Sequence, residues 1–144
     1  AGMTDRTWVI VLAADDVRAA VADGFVRTSS GKRAVLARMN VGDRLVLYSP
    51  RESHPDGPAL RAVTGTGEVT GDQPEEVPGQ SEAHRRAAHL TSIEPVPLAD
   101  IREHLKLPLL RFGSVLVTGD EADALWAKVR KRLPRKRRAR APAA

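Results

Sequence analysis

The longest uninterrupted run of aliphatic residues in the sequence is six, Val9 to Ala14. That feature excludes much of what a chain can become. A bilayer-crossing helix needs about 20 consecutive apolar residues. The core must therefore be assembled from short elements that each bury one face against another layer. The interior must also be built from small side chains. The aromatic residues are Trp8, Phe25, Tyr48, Phe112 and Trp126, 3% of the chain, so Val, Leu and Ala have to fill it.

At 144 residues one domain is expected, large enough to bury about two thirds of its unfolded surface. There is no cysteine, which excludes disulfides, thiolate catalysis and cysteine-based zinc sites. No secretory-signal pattern opens the sequence as given, and a cytoplasmic protein is expected.

The order of elements is legible from periodicity. Thr7 to Leu12 (TWVIVL) is β-branched and reads as a buried strand. In ADDVRAAVADG, Ala14, Val17, Ala20 and Val21 recur at helical spacing, Asp15 and Asp16 suit the first turn, and Gly24 suits the exit. GKRAVLARMNVGD gives a second short helix with Val35, Leu36 and Met39 inward, and Gly42-Asp43 turns into the strand Leu45-Val46-Leu47. Tyr48, Ser49 and Pro50 are expected at the mouth of that strand. Arg51 to Pro58 is a loop, and Leu60 to Val69 a strand in which Gly65 and Gly67 mark a bulge or a close backbone approach. Gly71 to Gln80 reads as a loop, Arg85 to Ile93 as a weakly alternating strand, Leu98 to Leu105 as a helical turn or two, and Leu109 to Val117 as a strand.

Thr118-Gly-Asp-Glu121 fits the capping box of a last helix. Its stripe is Ala122, Leu125, Trp126, Val129 and Leu133, and Pro134 ends it. The expected order is β-α-α-β-β-β-α-β-α, an α+β fold, with a domain over residues 3–133 and a basic tail over 134–144.

The net charge of +5 is not spread evenly. Eight basic residues fall in the last fifteen positions, and without them 15 basic residues face 18 acidic ones. Such a block suits a polyanion, since each neutralised phosphate releases a counterion; the bland alternative is a solubilising tail.

Familiar short motifs fail on spacing. Gly24 through Lys32 has six residues between its glycines and Arg33 where a phosphate loop needs Ser or Thr. GTGEVTG has one residue too many for a dinucleotide loop and no helix signal after it. A nucleophile elbow, GxSxG, is absent. His54, His84, His89 and His104 form no helical metal pair, so neither a metal nor a cofactor is expected.

The remaining parts form a constellation: Trp8 in the first strand, Gly24-Phe25, Ser29-Ser30-Gly31-Lys32, Arg38 with Gly42-Asp43, Tyr48-Ser49-Pro50, and Arg111-Phe112-Gly113. In order and spacing these resemble the EVE domain, a family of the PUA-like superfamily that also holds the YTH and ASCH domains. The likeness covers about residues 7 to 130. Two positions depart from it: Ser30 stands where the family often has histidine, and Leu47 where it often has a second tyrosine. The basic tail lies outside it.

The resemblance implies a strongly bent, mixed sheet, almost a barrel, flanked by helices, with a pocket on one face. It implies a non-enzymatic binder of a modified base in DNA or RNA. On that reading Trp8, Phe25, Ser29, Ser30, Gly31, Tyr48, Ser49 and Phe112 line an aromatic base pocket. Lys32, Arg51, Arg111, Arg135, Lys136, Arg137 and Arg138 hold phosphates. The alternative is an ASCH-like hydrolase of a modified base or nucleoside, using Lys32, Ser30 or Thr28, and Glu68.

Overall fold

A computed structural model describes residues 5–28, 33–104 and 113–130. Its strands are β1 (Thr7–Val11), β2 (Phe25–Val26), β3 (Arg44–Arg51), β4 (Ala59–Val69), β5 (Glu75–Val77), β6 (Gln80–Pro97) and β7 (Ser114–Val117). Its helices are α1 (Ala14–Asp23), α2 (Arg33–Ala37), α3 (Leu98–Ile101), which runs into a 3-10 turn at Arg102–His104, and α4 (Gly119–Arg130). The strands form one sheet in the order β2-β6-β4-β3-β1-β7, with β5 added on β6. The path has two ends, so the bent sheet stays open. β1 and β3 are parallel, and the other pairs are antiparallel. The architecture is α+β, as expected.

Strand alternation sorts the core into two layers. Trp8 and Ile10 of β1 join Leu45 and Leu47 of β3 beneath Val17 and Ala20 of α1 and Leu36 of α2. Val9, Val46, Tyr48 and Val63 leave the opposite face and meet Ile101, Leu125 and Val129. No apolar run is needed longer than one strand, because each strand feeds both layers.

Local chemistry accounts for most element ends. Gly24 takes the left-handed conformation (φ 79°) and returns its amide to the Ala20 carbonyl at 2.8 Å, closing α1. Leu47 pairs with Gly65 and Tyr48 with Val63, so Thr64 is the extra residue of a β-bulge. A Cβ at Gly65 would lie 2.8 Å from Val17 Cγ1, and one at Gly67 would lie 2.3 Å from the His89 carbonyl oxygen. The two glycines therefore let β4 pass close beneath α1 and against β6.

Several boundaries differ from the sequence expectation. β3 runs through Tyr48, Ser49 and Pro50 to Arg51. Pro50 does not stop it because β1 has already ended opposite Tyr48, and the β4 ladder is irregular between Ser49 and Arg51; the missing amide falls where none is needed. β5 lies inside the expected 71–80 loop, and β6 is 18 residues long. β6 changes partner along its length, from β5 to β2 to β4, so no single alternation runs through it. The head of α4 has a partner from the start of the chain: the Gly119 amide donates to Asp5 Oδ2 at 2.8 Å. Trp126, expected in the core, is half-buried with the Arg44 guanidinium 5.3 Å from its ring centre. Leu105, Leu109, Leu110, Leu133 and Pro134 lie outside the described residues.

Candidate functional site

Trp8 is 1% exposed. Its indole Nε1 donates to Asp43 Oδ2 at 2.9 Å. The same carboxylate accepts the Arg6 Nε at 3.0 and 3.1 Å and the Asn40 amide at 2.9 Å. The guanidinium carbons of Arg6 and Arg38 stand 5.9 and 5.4 Å from the indole ring centre. So the Arg38 and Gly42-Asp43 motif closes over Trp8 and supplies the buried carboxylate that its N–H requires. Trp8 is a core residue held by a polar lock, and the expectation of a pocket wall is corrected.

Tyr48 is 6% exposed and packs with Val46, Val63 and Leu125, on the face of the sheet opposite Trp8. The two aromatics do not border one cavity. The next residue, Ser49, is fully buried, and its hydroxyl is 2.7 Å from that of Thr64 at the bulge. That hydroxyl is committed inside the fold, a second correction to the expected base pocket.

Burial raises the Tyr48 phenol above its ordinary 10.0, with the Arg61 charge partly offsetting it. The folded state therefore holds the proton more tightly than the unfolded chain. The associated stability is complete below about pH 10 and is lost as pH rises through the higher folded value. Urea midpoints measured from about pH 8 to 11 should fall less steeply for Tyr48→Phe than for the parent protein.

The other expected site residues are scattered. Phe25 is half-buried on β2, with the Arg85 guanidinium carbon 3.7 Å above its ring, and Arg85 in turn donates to Glu75 Oε1 at 3.0 and 3.1 Å. Arg51 is exposed, and its Nη1 donates to the Gly57 carbonyl of its own loop at 3.0 Å. Glu68 is exposed on β4, next to Val69, which faces α1 and α2, so alternation turns Glu68 to the other side of the sheet. Thr28 is buried beside α1, and the structure does not bring it together with Glu68 as the hydrolase set requires. Ser29, Ser30, Gly31, Lys32, Arg111, Phe112, Arg135, Lys136, Arg137 and Arg138 lie outside the described residues.

What the fold does build is a hollow of about 270 Å³ beside α1, lined among the described residues by Leu12, Asp16, Ala19, Ala20, Asp23, Arg27 and Thr28. Asp16, Ala19, Ala20 and Asp23 share one face of α1, at i, i+3, i+4 and i+7. The two alanines leave the space, and the two aspartates supply acceptor-only edges. Leu12 closes one end, its amide bonded to the Tyr48 carbonyl at 2.9 Å. Arg27 and Thr28 leave β2 along the other side, and the chain continues from there into 29–32. Of the residues expected from the sequence, Thr28 of the alternative hydrolase set lines this hollow, and Tyr48 is not among its lining residues. The sequence carried a signal for it, a small-residue face flanked by carboxylates, but Ala20 also belongs to the inward stripe and hid that second face.

The family model described as the EVE domain matches residues 6–127. A UPF0310 protein of Renibacterium salmoninarum is 36% identical over 100 residues, covering 69% of this chain and 72% of that protein. YdcG of Bacillus subtilis, also a UPF0310 protein, is 42% identical over 67 residues, 46% of each chain. A UPF0310 protein of Streptococcus mutans is 32% identical over 122 residues, 80% of this chain and 90% of the relative. Among solved structures, ASCH from Zymomonas mobilis aligns with a TM-score of 0.57 at 15% identity, over 87% of this chain and 96% of that one. The NMR structure of Rpa0253 from Rhodopseudomonas palustris aligns at 0.56 and 16%, over 87% and 93%. At these identities the structural likeness is one of fold.

Proposed function

This chain belongs to the EVE domain family, and from that premise we propose that it is a nucleic-acid-binding module that takes one modified base into the hollow beside α1. The observation that carries the reading is the hollow. Its volume of about 270 Å³ sits near the lower end of small-ligand sites, about 300 Å³, the scale of one ring system and not of a strand.

A base that enters must first leave its stack, and it then needs an apolar surface and polar groups for its edge. Leu12, Ala19 and Ala20 offer the surface; Asp16, Asp23, Arg27 and Thr28 offer the edge. Ser29, Ser30 and Gly31 follow in the chain and belong to the proposed wall. Phe112 remains a proposed contact, whereas Trp8, Tyr48 and Ser49 are assigned to the core and Phe25 to its stack with Arg85. Lys32, Arg51, Arg111 and the tail residues Arg135, Lys136, Arg137 and Arg138 are proposed to meet phosphates, which fix position without reading sequence.

The test is a fluorescence titration of labelled oligonucleotides, plain and carrying a panel of modified bases, at two salt concentrations. Base contacts of this kind are worth about 1–3 kcal/mol, so the protein should favour one modification by roughly 5- to 150-fold. Ala19 is exposed and lines the hollow, so Ala19→Phe fills it from the rim. That variant should lose the preference and keep salt-dependent binding. Equal affinity of the unaltered protein for every oligonucleotide would falsify the reading. Deleting residues 134–144 should weaken binding to plain and modified strands alike and flatten the salt slope by about 0.7–0.9 for each phosphate that the tail no longer neutralises.

A further inference from the structure

Arg86 is 2% exposed on β6, yet the described residues give its guanidinium no direct carboxylate partner. Its Nε donates to the Gly71 carbonyl at 3.0 Å and its Nη2 to the Asp72 carbonyl at 3.0 Å. Its Nη1 donates to the Leu36 carbonyl at 2.7 Å and the Met39 carbonyl at 2.5 Å. Leu36 lies in the last turn of α2 and Met39 just past it; the Leu36 carbonyl also accepts the Met39 amide at 3.3 Å, so the guanidinium caps a turn whose carbonyls the helix itself does not fully use. On the main chain, Arg86 stands opposite Val26 in the β2–β6 ladder. One residue thus joins β2, which leads into segment 27–32, to α2, which follows it. The turn after α2 is held a second time through the Asn40 amide on Asp43.

We propose that Arg86 is a positioning residue for the hollow: its guanidinium ties β6 to the turn after α2 and to the 71–72 turn, its main chain pairs with Val26, and β6, so anchored, sets where Arg27 and Thr28 leave β2 against α1. The proposal rests on the hollow being the ligand site. Burying a cation is costly, and an apolar side chain of similar length would fill the space while taking a donor from each of four carbonyls. Lysine keeps the charge but has three donors and no planar fork, so it cannot reach all four carbonyls. Arg86→Lys therefore separates charge from geometry.

Hydrogen exchange followed by mass spectrometry on the full chain, together with the oligonucleotide titration, tests this. In Arg86→Lys, exchange should rise at least about 10-fold in peptides covering 25–28 and 33–40, with less than about 2-fold change in β1, β3 and α4. The same variant should lose at least about 10-fold in affinity for the preferred modified strand and stay within about 2-fold on the plain one. Exchange raised evenly over the sheet, or unchanged, overturns the proposal. So does local loosening that leaves the modified-strand affinity intact. Should the lysine variant fail to fold, Arg86→Gln carries the same measurement; failure of both assigns Arg86 to the general core and also overturns it. Local loosening in a protein whose parent shows no preference for any modified strand would instead sink the base-binding reading, because the exchange result stands without a ligand.

Discussion

Trp8→Ala should cost about 3–5 kcal/mol of folding stability, the range for emptying a large aromatic site. The indole is 1% exposed, sits in the layer under α1, and donates its N–H to a carboxylate that also serves Arg6 and Asn40. Removing it opens a cavity and takes one donor from a buried charge. Trp8→Phe keeps most of the volume and loses the hydrogen bond, so it should cost about 1–3 kcal/mol. Typical domains have about 5–15 kcal/mol in total, so the alanine variant should melt many degrees lower or fail to accumulate folded. Urea unfolding followed by circular dichroism measures both variants. A Trp8→Ala protein of unchanged stability that had lost binding would return the residue to the pocket.

Gly67→Val should cost about 3 kcal/mol. A Cβ at Gly67 would meet the His89 carbonyl oxygen at 2.3 Å, Leu90 Cδ2 at 2.6 Å and Leu90 Cα at 3.1 Å. The first and last are backbone atoms of the paired strand β6, so relief requires separating β4 from β6, the central ladder of the sheet. Overpacking of this kind costs about 1–3 kcal/mol, and the branched methyls place the variant at the top of the range. Gly67→Ala should fall lower in the same range. Thermal melting of the two variants checks the order; Gly67 is not among the glycines of positive φ, so its cost is one of contact and not of backbone conformation.

Residues whose neighbours are close in the chain were readable from sequence. α1 follows from the spacing of Val17 and Ala20 and from Gly24, and the Gly65–Gly67 approach follows from glycines inside an apolar strand. The resemblance also placed Trp8, Arg38 and Gly42-Asp43 in one motif, but only the fold shows that the motif is a lock on the indole. Trp8 and Tyr48 each carry a polar tip, and a polar tip announces the need for a partner, not which one. For Trp8 it is Asp43, 35 residues away. The same holds for the Asp5 cap on α4 and for Arg86, whose carbonyl partners come from two separate turns. β2 and β5 are two and three residues long, too short for any periodicity, and exist because β6 offers them an edge. The hollow stayed hidden for the opposite reason: it is made by what Ala19 and Ala20 lack.

The most direct measurement is a methyl and amide NMR titration of the full chain with a panel of free modified nucleosides. Saturable shifts at the Leu12, Ala19 and Ala20 methyls and the Arg27 and Thr28 amides, with the Tyr48, Val63 and Leu125 layer unmoved, are the result expected of a base seated beside α1. Shifts centred on that opposite layer, or none across the panel, would contradict it.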